Sequence, residues 1–371
     1  MNTNLWKRAF LVAIVLGVGT AGLVGVMDFG VTGAAAATPA VWSHSFAAGP
    51  WGVVADRAGT VVVTDAPSVE ALDRRGHLRW RARVDSLVEM TPALGGGRVL
   101  VGGRGLVTEL ARRSGARRWQ HSLRGDVTSL ALVGDTALAG DHSGAMSAFD
   151  ARTGALRWSV RFDGRPWAAP RVDAASGAVV ATWHEGPAPA VRVLDLATGA
   201  LRWQAPTDVM TAAPVLQGDT VVLAIGDGNR NAHVEARDLA TGAVRWSTPV
   251  PGSFEEAIEP AADGRDVVVV DHFGVVTLLD LATGALRWRH DIEYALIDTQ
   301  MPMTPQRIVF RSFSGDVFVL ARADGHLVAQ YSPEDLGGYP IATVRPPWPG
   351  PARLLVALRF DSSRVDLRAI P

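Results

Sequence analysis

The chain has 371 residues, with 36 lysines and arginines against 37 aspartates and glutamates, a net charge of −1, and no cysteine. That balance leaves no basic footprint for nucleic acid, and the missing cysteine excludes disulfides, thiolate metal sites and a lipid anchor through an N-terminal Cys. Length alone suggests two or three domains, but a continuous internal repeat argues for one closed ring.

Residues 1–40 stand apart from the repeat. Lys7-Arg8 precede an apolar run from Ala9 to Met27, and small residues follow through Ala34-Ala-Ala-Ala37. Positive flank, apolar core and small residues read as a secretion signal cut after Ala36 or Ala37. The run is 19 residues long, just enough to cross a bilayer, so an uncleaved anchor is the alternative. Both place residues 41–371 outside the cytoplasm, with membrane contact through this segment if it is retained.

The first folded stretch, Val41-Trp-Ser-His-Ser-Phe46, resembles the outer strand of a repeat unit, as in Arg118-Trp-Gln-His-Ser-Leu123. The repeat phrase itself is Asp-x-x-Thr-Gly-x-x-x-Trp. Four full copies run from Asp150 to Trp158, Asp195 to Trp203, Asp238 to Trp246 and Asp280 to Trp288. Looser copies end at Trp80 and Trp119, and one ending at Ala329 has lost its tryptophan. Terminal positions from 80 to 329 are spaced by 39, 39, 45, 43, 42 and 41 residues, the period of one supersecondary unit laid side by side.

Each unit reads as four short strands. In the third, Ser129-Leu-Ala-Leu132, Thr136-Ala-Leu-Ala139 and Met146-Ser-Ala-Phe149 precede the phrase, which supplies a tight turn and the outer strand. Such units without helical periodicity between them predict an all-β fold, a β-propeller of four-stranded antiparallel blades. Trp42 lies 38 residues before Trp80 and fits the register. Arg353 to Leu358 and Arg364 to Ile370 read as strands lacking an outer partner, so the N-terminal strand is expected to complete the C-terminal blade. The count is then eight blades, or seven if the weak C-terminal unit is not a full one.

Local chemistry accounts for the phrase. Gly takes the positive φ of the turn, and the Asp carboxylate accepts hydrogen bonds from turn amides. Trp42, Trp80, Trp119, Trp158, Trp203, Trp246 and Trp288 are expected as apolar plugs between neighbouring blades. Strand alternation puts Leu156, Leu201 and Leu286 on the same face as the tryptophans. The arginines before each Trp then point the other way and blunt the sheet edges against pairing with other molecules.

Candidate site residues fall in the loops expected around one mouth of the ring. They are Asp141-His142, Trp183-His184-Glu185, Asp227 to Asn231, Asp271-His272, Arg165-Pro-Trp167, Glu255-Glu256 and Asp298. Asp-His-x-Gly occurs at 141 and 271 and reads as a turn. His184 beside Glu185 is a candidate base and orienting carboxylate, against the alternation that sends neighbours to opposite faces. Asp227, Asn229 and Asn231, flanking Arg230, have the alternating oxygens of a calcium loop but lack its distal bidentate Glu. His142, His184 and His272 sit on units that are not all adjacent, which disfavours a three-histidine metal site. Trp51, Trp167 and Trp183 are candidates for an exposed recognition surface.

The repeated phrase, preceded by short Val-rich strands, resembles the PQQ-like repeat of quinoprotein dehydrogenase propellers and their non-catalytic relatives. The resemblance covers 41–371. Quinoprotein alcohol dehydrogenases are longer and carry a vicinal Cys-Cys pair against the cofactor, which has no counterpart here. In size and blade count the chain is similar to the BamB family, eight-bladed scaffolds of the outer-membrane protein assembly machine that are anchored by a lipidated Cys, also absent. The resemblance implies a monomeric, non-catalytic, extracytoplasmic scaffold for a protein partner, with no cofactor expected. The alternative is a quinoprotein-like enzyme using PQQ or calcium at the channel mouth.

Overall fold

A computed structural model describes residues 40–45, 50–56, 59–64, 67–73, 75–86, 91–208, 213–226, 231–251, 260–271, 274–292, 303–312, 316–332, 339–344, 354–359 and 364–370. Every regular element among them is a strand, and none is a helix able to cross a membrane. The strands form eight antiparallel sheets. In chain order these are sheet 1 (50–83), sheet 2 (93–122), sheet 3 (127–161), sheet 4 (165–206), sheet 5 (215–251), sheet 6 (261–291), sheet 7 (307–331) and sheet 8, which joins 339–370 to 40–45.

Sheet 3 shows the unit as the sequence predicts it: Val127–Val133, Thr136–Asp141, Ala145–Asp150 and Leu156–Arg161 pair in that order. Sheet 4 departs by splitting its inner strand, so that Arg165–Pro166 and Arg171–Asp173 both pair with Ala178–His184. Sheet 7 has three strands plus an isolated bridge from Met303 to Ile308. In sheet 8 the order is Tyr339–Val344, Leu354–Arg359, Arg364–Ile370, Ala40–Ser45, with His44 opposite Val365. The N-terminal strand thus supplies the outer strand of the C-terminal sheet.

The hydrophobic core lies between sheets. Leu100, Val107 and Trp119 of sheet 2 pack with Val127, Ala137 and Phe149 of sheet 3. Leu138, Met146 and Trp158 of sheet 3 pack with Val179, Trp183 and Leu194 of sheet 4. Sheets 4 and 5, 5 and 6, and 6 and 7 share clusters in the same way. Both faces of sheets 2 to 6 are therefore covered, which is why their two central strands read as continuous apolar runs such as Ala178–His184.

The repeat phrase joins these layers by hydrogen bonds as well as by area. Trp80, Trp119, Trp158, Trp203, Trp246 and Trp288 donate their indole N–H to the carbonyls of Arg112, Ala151, Leu196, Leu239, Leu281 and Arg322, each in the next sheet's turn, at 2.8–3.0 Å. Trp80, Trp119, Trp158 and Trp246 are buried, whereas Trp203 and Trp288 are half-buried. Trp42 lies on a described strand, but its side chain is outside the described residues.

Two expectations about the outer strand are corrected. A bulge falls in every outer-strand pairing of sheets 1 to 7; in sheet 3, Ala148 opposes Trp158 while the next residue, Phe149, opposes Leu156. The extra residue breaks the two-residue alternation and moves the leucine off the tryptophan's face. Leu156, Leu201 and Leu286 are accordingly 50%, 43% and 51% exposed. Nor are the arginines of the phrase free edge charges. Arg157, Arg202, Arg245 and Arg287 each reach back to the Asp that opens their own turn, at 2.6–2.7 Å.

Each such Asp holds the turn from inside. Asp195 Oδ1 accepts from the backbone N–H of Ala197 and Thr198 and from the Thr198 hydroxyl at 3.1, 2.9 and 2.9 Å, while Oδ2 takes Arg202. Arg202 and Thr198 hold the Asp195 carboxyl at about 2, and Arg245 and Thr241 hold Asp238 at about 2. A carboxylate depressed by folding contributes stability that is complete above its ordinary range and disappears as pH falls through the folded value. The urea midpoint is therefore expected to fall between about pH 4 and pH 2. It should fall less in the double variant Asp195→Asn, Asp238→Asn, and equal slopes for the two proteins would remove this account.

Candidate functional site

The loops of sheets 3 and 4 converge as the strand order requires, because the middle hairpin of one sheet and the link to the next emerge on the same side. Arg165, on the link, contacts His142 Nε2 in the middle hairpin of sheet 3 and Glu185 Oε1 in that of sheet 4. Its guanidinium also lies 4.2 Å from the Trp167 ring, which is half-buried.

The first Asp-His-x-Gly stretch, Asp141 to Gly144, is a turn. Asp141 is buried and accepts from the Ser143 N–H at 2.7 Å and from its hydroxyl. Asp271 is buried and accepts from the Val275 N–H at 2.7 Å. His142 is left exposed at its turn, while His272 lies outside the described residues.

His184 and Glu185 part company. His184 ends a strand and is buried, whereas Glu185 is half exposed on left-handed backbone at φ 56°. Trp183 is also not a surface residue: it is fully buried, donates to the Gly144 carbonyl at 3.0 Å and meets Phe162 edge-on at 5.2 Å. It plugs the gap between sheets 3 and 4, as an indole with a carbonyl in reach can. The Trp51 side chain, Asp227, Asn229, Arg230, Glu255, Glu256 and Asp298 lie outside the described residues. Asn231 opens a strand, opposite Pro251.

These loops border a groove of about 890 Å³ between sheets 3 and 4. Its lining extends to the outer strands through Arg161 and Gln204. At its wall sits Arg192, on the strand Ala190–Asp195 and only 5% exposed. Its guanidinium lies 4.6 Å from the Phe162 ring and 5.2 Å from Trp183, and Nε donates to Gln204 at 3.2 Å. Nη1 has no hydrogen-bond partner among the described residues. Burial pulls the guanidinium below its ordinary pKa, with Asp163 opposing.

Arg192, Arg161, Phe162 and Asp163 escape sequence reasoning, since their meeting depends on two units touching. One signal was present: Arg192 interrupts the apolar run Ala-Val-Arg-Val-Leu-Asp195 where the equivalent run of sheet 3 carries a serine, Ser147.

Architecture and repeat together define a propeller of the quinoprotein type. The family model described as "Outer membrane protein assembly factor BamB" matches residues 28–186 and 187–337, so the chain belongs to that family. No curated protein matches the sequence. Among solved structures, BamB from Moraxella catarrhalis is 17% identical, with a TM-score of 0.69 over 89% of this chain and 97% of that one. The computationally designed Ika8 protein is 16% identical, with a TM-score of 0.70 over 89% and 99%. A quinohemoprotein alcohol dehydrogenase from Pseudomonas putida HK5 is 12% identical, with a TM-score of 0.69 over 89% and 76%. BamB, a designed protein and an alcohol dehydrogenase sharing one fold show that the fold does not specify activity.

The quinoprotein likeness raises the question of PQQ with a metal. Among the described residues no three His, Cys, Asp or Glu side chains group to hold a metal ion, and the sequence has no cysteine. The oxygen donors that the sequence offers at Asp227 and Asn229 lie outside the described residues.

Proposed function

We propose that this protein is a non-catalytic, extracytoplasmic, eight-bladed propeller that docks a protein partner on the loop face of sheets 3 and 4. Membership in a family described as an assembly factor carries the reading. The convergence of His142, Arg165 and Glu185 beside a groove supports the choice of face. Export rests on Lys7-Arg8 and the apolar run behind them. The protein acts as a monomer, and the pairing of Ala40–Ser45 with Arg364–Ile370 in sheet 8 supports a closed ring.

Crosslinking in the producing cells, with a photoreactive residue at Ser143 on the loop face or at Arg152 in a turn of the opposite face, tests the reading. A discrete adduct from position 143 and none from 152 is the expected result. No adduct from either, at normal abundance in the exported fraction, counts against a scaffold. Native mass spectrometry after supplying PQQ and calcium tests the enzyme reading, since stoichiometric quinone or metal overturns the non-catalytic assignment.

A further inference from the structure

We infer that the groove between sheets 3 and 4 is a subsite for a peptide carboxylate, an acidic side chain of a docked protein segment, with Arg192 as the residue that receives it. The inference rests on the scaffold reading and specifies the chemistry of its partner.

Arg192 carries the argument. A guanidinium has five N–H donors, and burying one without partners is costly. Here one donor is used, by Gln204, and Nη1 has no hydrogen-bond partner among the described residues, although the residue is 5% exposed and lines the groove. The Phe162 and Trp183 rings pack over the guanidinium at 4.6 and 5.2 Å. A planar carboxylate meets a guanidinium edge with two parallel hydrogen bonds.

Charge selects the same ligand. The groove sets Arg161, Arg165 and Arg192 against Asp163 and Glu185, three cations against two carboxylates. Arg165 is already engaged by Glu185 and His142. One positive charge is left over, which matches a monoanion better than a phosphate dianion. At about 890 Å³ the groove is far larger than one carboxylate and has room for the residues on either side of it. The rim adds a further mark. Glu185 is the one non-glycine residue at positive φ among the described residues, and strained backbone of this kind concentrates at ligand-binding sites.

The test is isothermal titration of the full-length chain with acetyl-Gly-Asp-Gly-amide, its Asn counterpart, sodium acetate and inorganic phosphate. The Asp peptide is expected to bind at least tenfold more tightly than the Asn peptide and than acetate, with phosphate no better than acetate. Arg192→Gln should abolish the difference between the peptides. Because that variant removes a packed side chain, Arg192→Lys is measured beside it: charge and most of the packing remain but the bidentate edge is lost, and the Asp peptide should bind at least fivefold more weakly at unchanged melting temperature. Equal binding of the Asp and Asn peptides, acetate as tight as the Asp peptide, or preference for phosphate overturns the inference. Loop-face crosslinking separates it from the scaffold reading. An adduct undiminished in Arg192→Lys sinks the carboxylate site and leaves the scaffold, whereas Asp-selective binding without any cellular adduct keeps the site and removes the scaffold.

Discussion

Trp158→Ala is expected to destabilise the protein by about 3–5 kcal/mol, the range for removing a buried Trp or Phe. Trp158 is 8% exposed, packs between sheets 3 and 4 and donates to the Leu196 carbonyl at 2.8 Å. Trp158→Phe keeps most of the area and loses the donor, so it should cost less, with about 1 kcal/mol assigned to the hydrogen bond. The partner of the indole in sheet 4 is Gly199, at φ 74° in the repeat turn. A Cβ there would lie 2.7 Å from the ring atoms Cδ2 and Cε3. Gly199→Ala therefore combines a left-handed alanine with overpacking, together about 2–4 kcal/mol. Urea unfolding followed by circular dichroism reads each value. In the double variant the overpacking vanishes with the ring, so the two effects should sum to less than their parts by about 1–3 kcal/mol. Additive losses would show that the glycine is required for its backbone alone.

Arg322→Met should cost about 1.5–3 kcal/mol, because it leaves the buried Asp266 carboxylate with Arg287 as its nearest remaining cation. Arg322 lies in the turn of sheet 7 and is 9% exposed; Asp266 on sheet 6 is 3% exposed. Nε and Nη2 donate to Asp266 Oδ2 at 2.9 and 2.6 Å, Nη1 to the Thr304 carbonyl at 3.2 Å, and Nη1 and Nη2 to Asp263. Its own carbonyl receives the Trp288 indole at 2.8 Å. Burial pulls the Arg322 pKa down, but its hydrogen bonds to Asp263 and Asp266 prevail and raise it. Asp263 is 41% exposed, so most of the cost belongs to Asp266. Adding Asp266→Leu to Arg322→Met removes the half-paired carboxylate while Arg287 keeps Asp280, and should recover part of the loss. Failure to recover would place the cost in packing around the Trp288 carbonyl contact instead.

The legible parts of this molecule are those whose causes are local. Asp195, Thr198 and Gly199 make their turn from atoms within five residues, and the recurrence of that turn every 39 to 45 residues announces a ring of equal units. Trp42 in register at one end and two unpartnered runs at the other foretell the joint of sheet 8, where Ala40–Ser45 pairs with Arg364–Ile370. Turn chemistry likewise explains why Asp141 and Asp271 accept hydrogen bonds from their own loops.

What strand alternation could not foresee is the bulge before each tryptophan, which exposes Leu156 and Leu201 and turns Arg202 back onto Asp195. Trp183 looks like a surface residue because its neighbours His184 and Glu185 are polar; Phe162 and the Gly144 carbonyl, 21 and 39 residues earlier, bury it. The groove is the extreme case. Arg192, Phe162, Arg165 and His142 come from two units, and only the packing of sheet 3 against sheet 4 sets a buried guanidinium between aromatic rings beside a polar cleft. Repeat, turn and core strands follow from short-range sterics and hydrogen bonding, which a chain carries in its order of residues. The site follows from which side chains meet across an interface, and that is decided by tertiary contact between sheets.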